Sequence, residues 1–84
     1  MLERGTVVRS SAGRDKGKLL AVMQSENGRV LVCDGKERPV DRPKSKNIRH
    51  VESVGAFVTE AEMATNRALK KAIRRLNAEI NGNT

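Results

Sequence analysis

Thr6–Met23 reads TVVRSSAGRDKGKLLAVM, two runs of strand-forming residues around a loop that holds two glycines and three cations. Thr6, Val7 and Val8 are β-branched and suit a pleated surface, so Thr6–Ser10 is expected as a strand. Lys18–Met23 is apolar on both faces, as an inner strand would be. Glycine and a basic loop also suggest a phosphate-gripping P-loop, but that motif needs four residues between its glycines and a hydroxyl after the lysine. Only three residues separate Gly13 from Gly17, Leu19 stands at the hydroxyl position, and a strand follows where a helix is required. The loop is therefore no nucleotide site. Its cations Arg14, Lys16 and Lys18 alternate, so an extended loop would point them together at a phosphate ridge, with Asp15 bracing the turn. Such contacts position a nucleic acid without reading bases.

Further along, Asn27-Gly28 tolerates positive φ and supplies a tight hairpin turn, with Arg29–Cys33 as the returning strand. Asp34-Gly35 is a second turn. Lys36–Val40 is expected as a short fourth strand, confined to an edge by Pro39, and Asn47–Val51 as a fifth after a linker at Pro43. Five short strands at this spacing predict a small, strongly bent barrel or sandwich. The period then changes. Thr59 and Glu62 form a capping box, and Val58 and Met63 are placed as a hydrophobic staple. Leu69, Ile73, Leu76 and Ile80 fall on one side, and Asn81-Gly82 closes the element. One helix is expected over Glu60–Ile80, dividing the chain into a β unit (1–56) and a helical segment with a short tail (57–84). Opposite the apolar stripe lie Arg67, Lys70, Lys71, Arg74 and Arg75, either a solvated face or a binding face.

The 84 residues carry 17 Lys and Arg against 10 Asp and Glu, a net charge of +7. An excess of that size on a small surface favours polyanions, by steering them and by releasing their counterions. The surplus is uneven: Arg42–His50 contributes Arg42, Lys44, Lys46 and Arg49 with no acid. One cysteine excludes an internal disulfide framework and suits a reducing cytoplasm. The longest apolar run, Leu19–Met23, is far too short to span a bilayer. Met1–Arg4 leads into strand-like sequence, so no secretory leader is expected.

Single residues carry little chemistry. Phe57 is the only aromatic, which argues against recognition by stacked bases, and it is expected to pack the strand-to-helix junction. Cys33 reads as a buried, inert thiol. His50 with one cysteine cannot build a usual zinc site, so no metal or cofactor is expected. Ser10 and Ser11 lack a nucleophile elbow, and no catalytic constellation is expected.

Gly5–Ser10, Ala12–Gly17 and Leu20-Ala21-Val22, extended by Val30-Leu31-Val32 with Asp34-Gly35 and by Pro43–His50, resemble the KOW motif. Over residues 3 to 54 the chain looks like the KOW-domain proteins of the archaeal and eukaryotic large ribosomal subunit and their small bacterial relatives. The resemblance implies an SH3-like five-stranded β-barrel, followed here by one amphipathic helix, with RNA held at the first loop and adjoining strand ends. It implies Arg9, Arg14, Lys16 and Lys18 as loop contacts, Arg42, Lys44, Lys46 and Arg49 as a second basic edge, and Gly17 as the motif glycine. Arg67, Lys70, Lys71, Arg74 and Arg75 are secondary candidates, outside the resemblance. Two functions follow as expectations. One is a non-enzymatic protein bound to ribosomal RNA, with ribosomal proteins as possible neighbours. The other is a protein-interaction module like the KOW domains of transcription elongation factors. An apolar stripe packed on the sheet would free the basic face for RNA, whereas an exposed stripe would invite a protein partner.

Overall fold

The computed structural model describes residues 2–82. Five antiparallel strands, β1 (Thr6–Ser10), β2 (Leu19–Glu26), β3 (Arg29–Cys33), β4 (Lys44–Asn47) and β5 (Val51–Phe57), form one sheet in the order β4-β3-β2-β1-β5. Two helices follow, α1 (Glu60–Met63) and α2 (Asn66–Asn81). No described helix is long and apolar enough to cross a membrane. The chain is thus mainly β with a C-terminal helical segment, as its residues predict.

The β2–β3 hairpin closes through Asn27-Gly28, both at positive φ (49° and 78°), with Glu26 opposite Arg29. This is the geometry that lets two residues turn a twisted hairpin. The fourth strand differs from expectation. Lys36–Val40 is irregular because Asp34 captures it: one carboxylate oxygen accepts from the amides of Lys36 (2.8 Å) and Arg38 (2.9 Å). Those donors are then lost to a ladder, and Pro39 has none to give. The strand forms instead at Lys44–Asn47, read from sequence as linker, and pairs Val30 with Lys46 and Val32 with Lys44. A 3₁₀ turn (Ile48–His50) joins it to β5, which starts at Val51, where the expected fifth strand ended.

The capping box at Thr59/Glu62 is present in both directions, yet it starts a helix of one turn only. A second cap intervenes: Thr65 leaves helical geometry (φ −136°, ψ 159°) and its hydroxyl accepts from the amide of Ala68 at 3.1 Å. The single helix expected over Glu60–Ile80 is therefore two.

Successive residues of β1 and β2 face opposite ways, and both faces are buried. Val7, Leu19, Ala21 and Cys33 pack against Leu69, Ala72, Ile73 and Leu76 of α2, with Val58 and Met63 at the junction. Burial of each of the larger aliphatic side chains among these stabilises the fold by up to about 1.5–3 kcal/mol. Val8, Leu20, Val22, Val30 and Val32 form the second cluster, each with no exposure, against Leu2, Ile48 and Val51. Among the described residues no α-helix packs on this second face, and Ile48 in the turn between β4 and β5 borders it. β4 and β5 share no ladder, and the sheet is open between them.

A candidate nucleic-acid interface

The loop after β1 is not extended. The amides of Lys16, Gly17 and Lys18 bond back to the carbonyls of Gly13 (3.2 Å), Ser10 (2.7 Å) and Asp15 (2.9 Å), folding the loop into successive turns. Gly17 takes φ +87°, a left-handed conformation that glycine adopts without a steric penalty. Beneath these turns lies a polar cluster. The Asp15 carboxylate accepts from the Ser10 hydroxyl at 2.9 Å and from the Lys46 ammonium at 3.0 Å, through the same oxygen. The Lys46 ammonium also donates to the Ala12 carbonyl at 3.1 Å. Both members of the ion pair are buried, with side chains 6% and 10% exposed. Burial pushes the Asp15 carboxyl up, but the hydrogen bonds from Lys46 and Ser10 outweigh it and hold the group below its ordinary value.

Lys46, expected as a phosphate contact on an exposed edge, is thus a structural residue. Its strand position points it inward, and Asp15 satisfies it there. Asp15 braces the loop, as its place in the sequence suggested. Other expected contacts are partly committed. Lys18 pairs with Glu37 at 2.8 Å, and Arg9 donates to the Gly17 carbonyl at 2.9 Å. Arg14 and Lys16 are exposed with no side-chain partner among the described residues, although the folded loop removes the alternation that would have aligned them with Lys18. Arg42 and Arg49 are exposed and Lys44 half-buried, also without partners among the described residues. The basic edge from Arg42 to His50 therefore keeps three free cations of four.

The largest uncompensated charge lies on α2. Its apolar stripe is buried through Leu69, Ala72, Ile73 and Leu76, and only Ile80 at the far end stays 40% exposed. The opposite face presents Arg67, Lys70, Lys71 and Arg74, all exposed and without a hydrogen-bond or ion-pair partner among the described residues. Arg75 does not join them: it binds Glu62 at 3.1 Å and lies 3.8 Å from Glu79.

The loop after β3 abuts the start of this helix. Val40 donates its amide to the Asn66 side-chain carbonyl at 2.7 Å. Gly35, at φ +79°, sits so close that a Cβ would collide with the Asn66 carbonyl oxygen and approach the Lys70 amide to 3.0 Å. Where the loop meets the helix, a shallow open groove of about 620 Å³ is lined by Gly35 and, from α2, by Asn66, Arg67, Lys70, Lys71 and Arg74, four cations with no acid. A neighbouring hollow brings Lys18, Lys36, Lys70 and Arg74 together with Asp34 and Glu37, the latter paired with Lys18. Sequence reasoning missed Gly35 and Lys36 as parts of this surface. Nothing local marks them, because only the docking of α2 brings them to it.

Phe57, expected at the strand-to-helix junction, is instead 65% exposed, and Val58 and Met63 fill that junction. Cys33 is buried, and its thiol is pushed up to about 11, first by burial and then by the nearby Asp34 charge. No group of His, Cys, Asp or Glu among the described residues could hold a metal ion. In comparisons with known proteins, neither a family model nor a curated relative matches the chain.

Proposed function

We propose that this protein binds RNA through its phosphates, as a KOW-type domain with an added basic helix, and acts by binding and not by catalysis. The observation that carries the reading is the acid-free groove of Arg67, Lys70, Lys71 and Arg74 on a helix whose apolar stripe is covered. Four exposed cations without partners are held close together by a buried stripe, so their mutual repulsion is relieved when a polyanion arrives. The free cations Arg14 and Lys16, and the edge of Arg42, Lys44 and Arg49, supply further phosphate contacts.

The sheet supports the KOW part of the proposal. Its edge strands are consecutive in the chain and linked by a three-residue turn, and the face away from α2 is filled by Val8, Leu20, Val22, Val30 and Val32. That is the arrangement an SH3-like barrel requires. The KOW resemblance implies ribosomal RNA as partner, and the single cysteine suits a reducing cytoplasm. The competing protein-interaction reading needed an exposed apolar stripe, and the stripe is packed on the sheet.

Titrating a labelled ribosomal-RNA fragment at several salt concentrations tests the reading. Affinity should fall linearly in log–log form, with a slope of about 0.7–0.9 per phosphate contact. A flat response would overturn it.

A further inference from the structure

Resting on that reading, we infer that the groove between the loop after β3 and α2 takes RNA as a double helix, by its backbone, and discriminates against unpaired strands. Single-strand binders combine a basic track with aromatic side chains on which bases stack. Here the one aromatic is Phe57. It pairs with Thr6 at the start of β1, whereas Lys18, at the rim of the basic surface, follows the loop at the other end of that strand.

Readout of base edges by the neighbouring amides is restricted as well. An amide reads a base by using its carbonyl and its NH₂ together. The two amides that border the basic surface have their carbonyl oxygens occupied: Asn66 accepts from the Val40 amide, and Asn77 accepts from Asn81 at 2.9 Å. What remains are the arginines and lysines. The major groove of an A-form helix is too deep and narrow for side chains to read, so on duplex RNA these cations meet phosphates.

A surface that senses only phosphates favours the polyanion of higher charge density. Each contact then releases more counterion from a duplex than from a single strand, about 0.9 against 0.7 per phosphate. The stiffness of the duplex matches the stiffness of the support. Arg67, Lys70, Lys71 and Arg74 lie within two turns of a helix anchored by Leu69, Ala72, Ile73 and Leu76, so the backbone that carries the cation row is held in place.

The test is competition by fluorescence anisotropy. A labelled RNA duplex of mixed sequence, its two separated strands and a second duplex of unrelated sequence are titrated at equal phosphate concentration. The duplexes should bind alike, at least about tenfold tighter than either strand at low salt, with the steeper salt slope. Lys70→Gln/Arg74→Gln should reduce that preference. Strands binding as well as duplexes, or the two duplexes differing strongly, would overturn the inference while leaving RNA binding in place. Binding of none of the RNAs would remove the proposed function together with it.

Discussion

Replacing Lys46 by alanine separates a buried, paired cation from its half-buried, unpaired neighbour Lys44. The ammonium is 6% exposed, 3.0 Å from an Asp15 carboxylate that is 10% exposed, and it also bonds the Ala12 carbonyl. The other Asp15 oxygen is buried with no partner among the described residues, so without Lys46 the carboxylate keeps only Ser10. Removing one member of a buried pair costs about 3–5 kcal/mol, because the remaining charge is left uncompensated. A chain of this length has a total stability of roughly 4–13 kcal/mol. Lys46→Ala therefore removes a large fraction of it and lowers Tm by roughly 12–40 °C. Lys44→Ala, two residues away on the same strand, removes an equal charge that is half-buried and makes no hydrogen bond or ion pair among the described residues, and should cost clearly less than Lys46→Ala. Thermal melts followed by circular dichroism measure both. The double change Asp15→Asn/Lys46→Met should cost much less than the two single changes added, since it leaves no unpaired charge. Equal melting temperatures for Lys46→Ala and Lys44→Ala would refute the reasoning.

Three other outcomes follow from the same geometry. Asp15 titrates below the ordinary carboxyl value of about 3.9 that it has in the unfolded chain, so its contribution is complete above about pH 5 and lost as pH falls through the folded value. Urea unfolding across the acid range should show Asp15→Asn with a shallower loss of stability below about pH 4 than the parent. Gly17→Val should cost about 1–3 kcal/mol from backbone strain alone, as no atom lies within 4 Å of its Cβ position, whereas exposed Lys16→Ala should leave the melt unchanged. Gly35→Ala should be worse than Gly17→Ala, because it adds a collision with the Asn66 carbonyl to a comparable strain at positive φ; it should also weaken RNA binding by displacing the loop from α2.

How far the sequence could be read depended on whether the signal was local. The β1 strand, the Asn27-Gly28 hairpin and the Thr59 capping box lie within a few residues of their causes, and each stands where expected. The Leu69–Leu76 stripe announced a packed helix for the same reason. Lys36–Val40 failed because one side chain, Asp34, diverts amides that composition alone assigned to a strand. Lys46 failed more instructively. Four cations in nine residues looked like one exposed edge, but alternation along β4 sends Lys46 inward to Asp15, thirty-one residues earlier in the chain. No pattern in either segment reveals that pairing. The same holds for the groove, where Gly35 and Lys36 meet α2 only through tertiary docking. Phe57, expected at the strand-to-helix junction, is exposed, and the smaller Val58 and Met63 fill that site.

The central claim is that α2 carries the main RNA-binding charge. Two variants of equal charge test it, Lys70→Gln/Arg74→Gln on α2 and Lys44→Gln/Arg49→Gln on the β4 edge, each first shown by melting to be folded. The measurement is the slope of log affinity against log salt for one RNA. The α2 pair should lower that slope by about 1.4–1.8, the release from two phosphate contacts, and weaken binding more than the β4 pair does. A slope that the α2 pair leaves unchanged, or that the β4 pair lowers more, would contradict the account and make the helix a prop for the sheet.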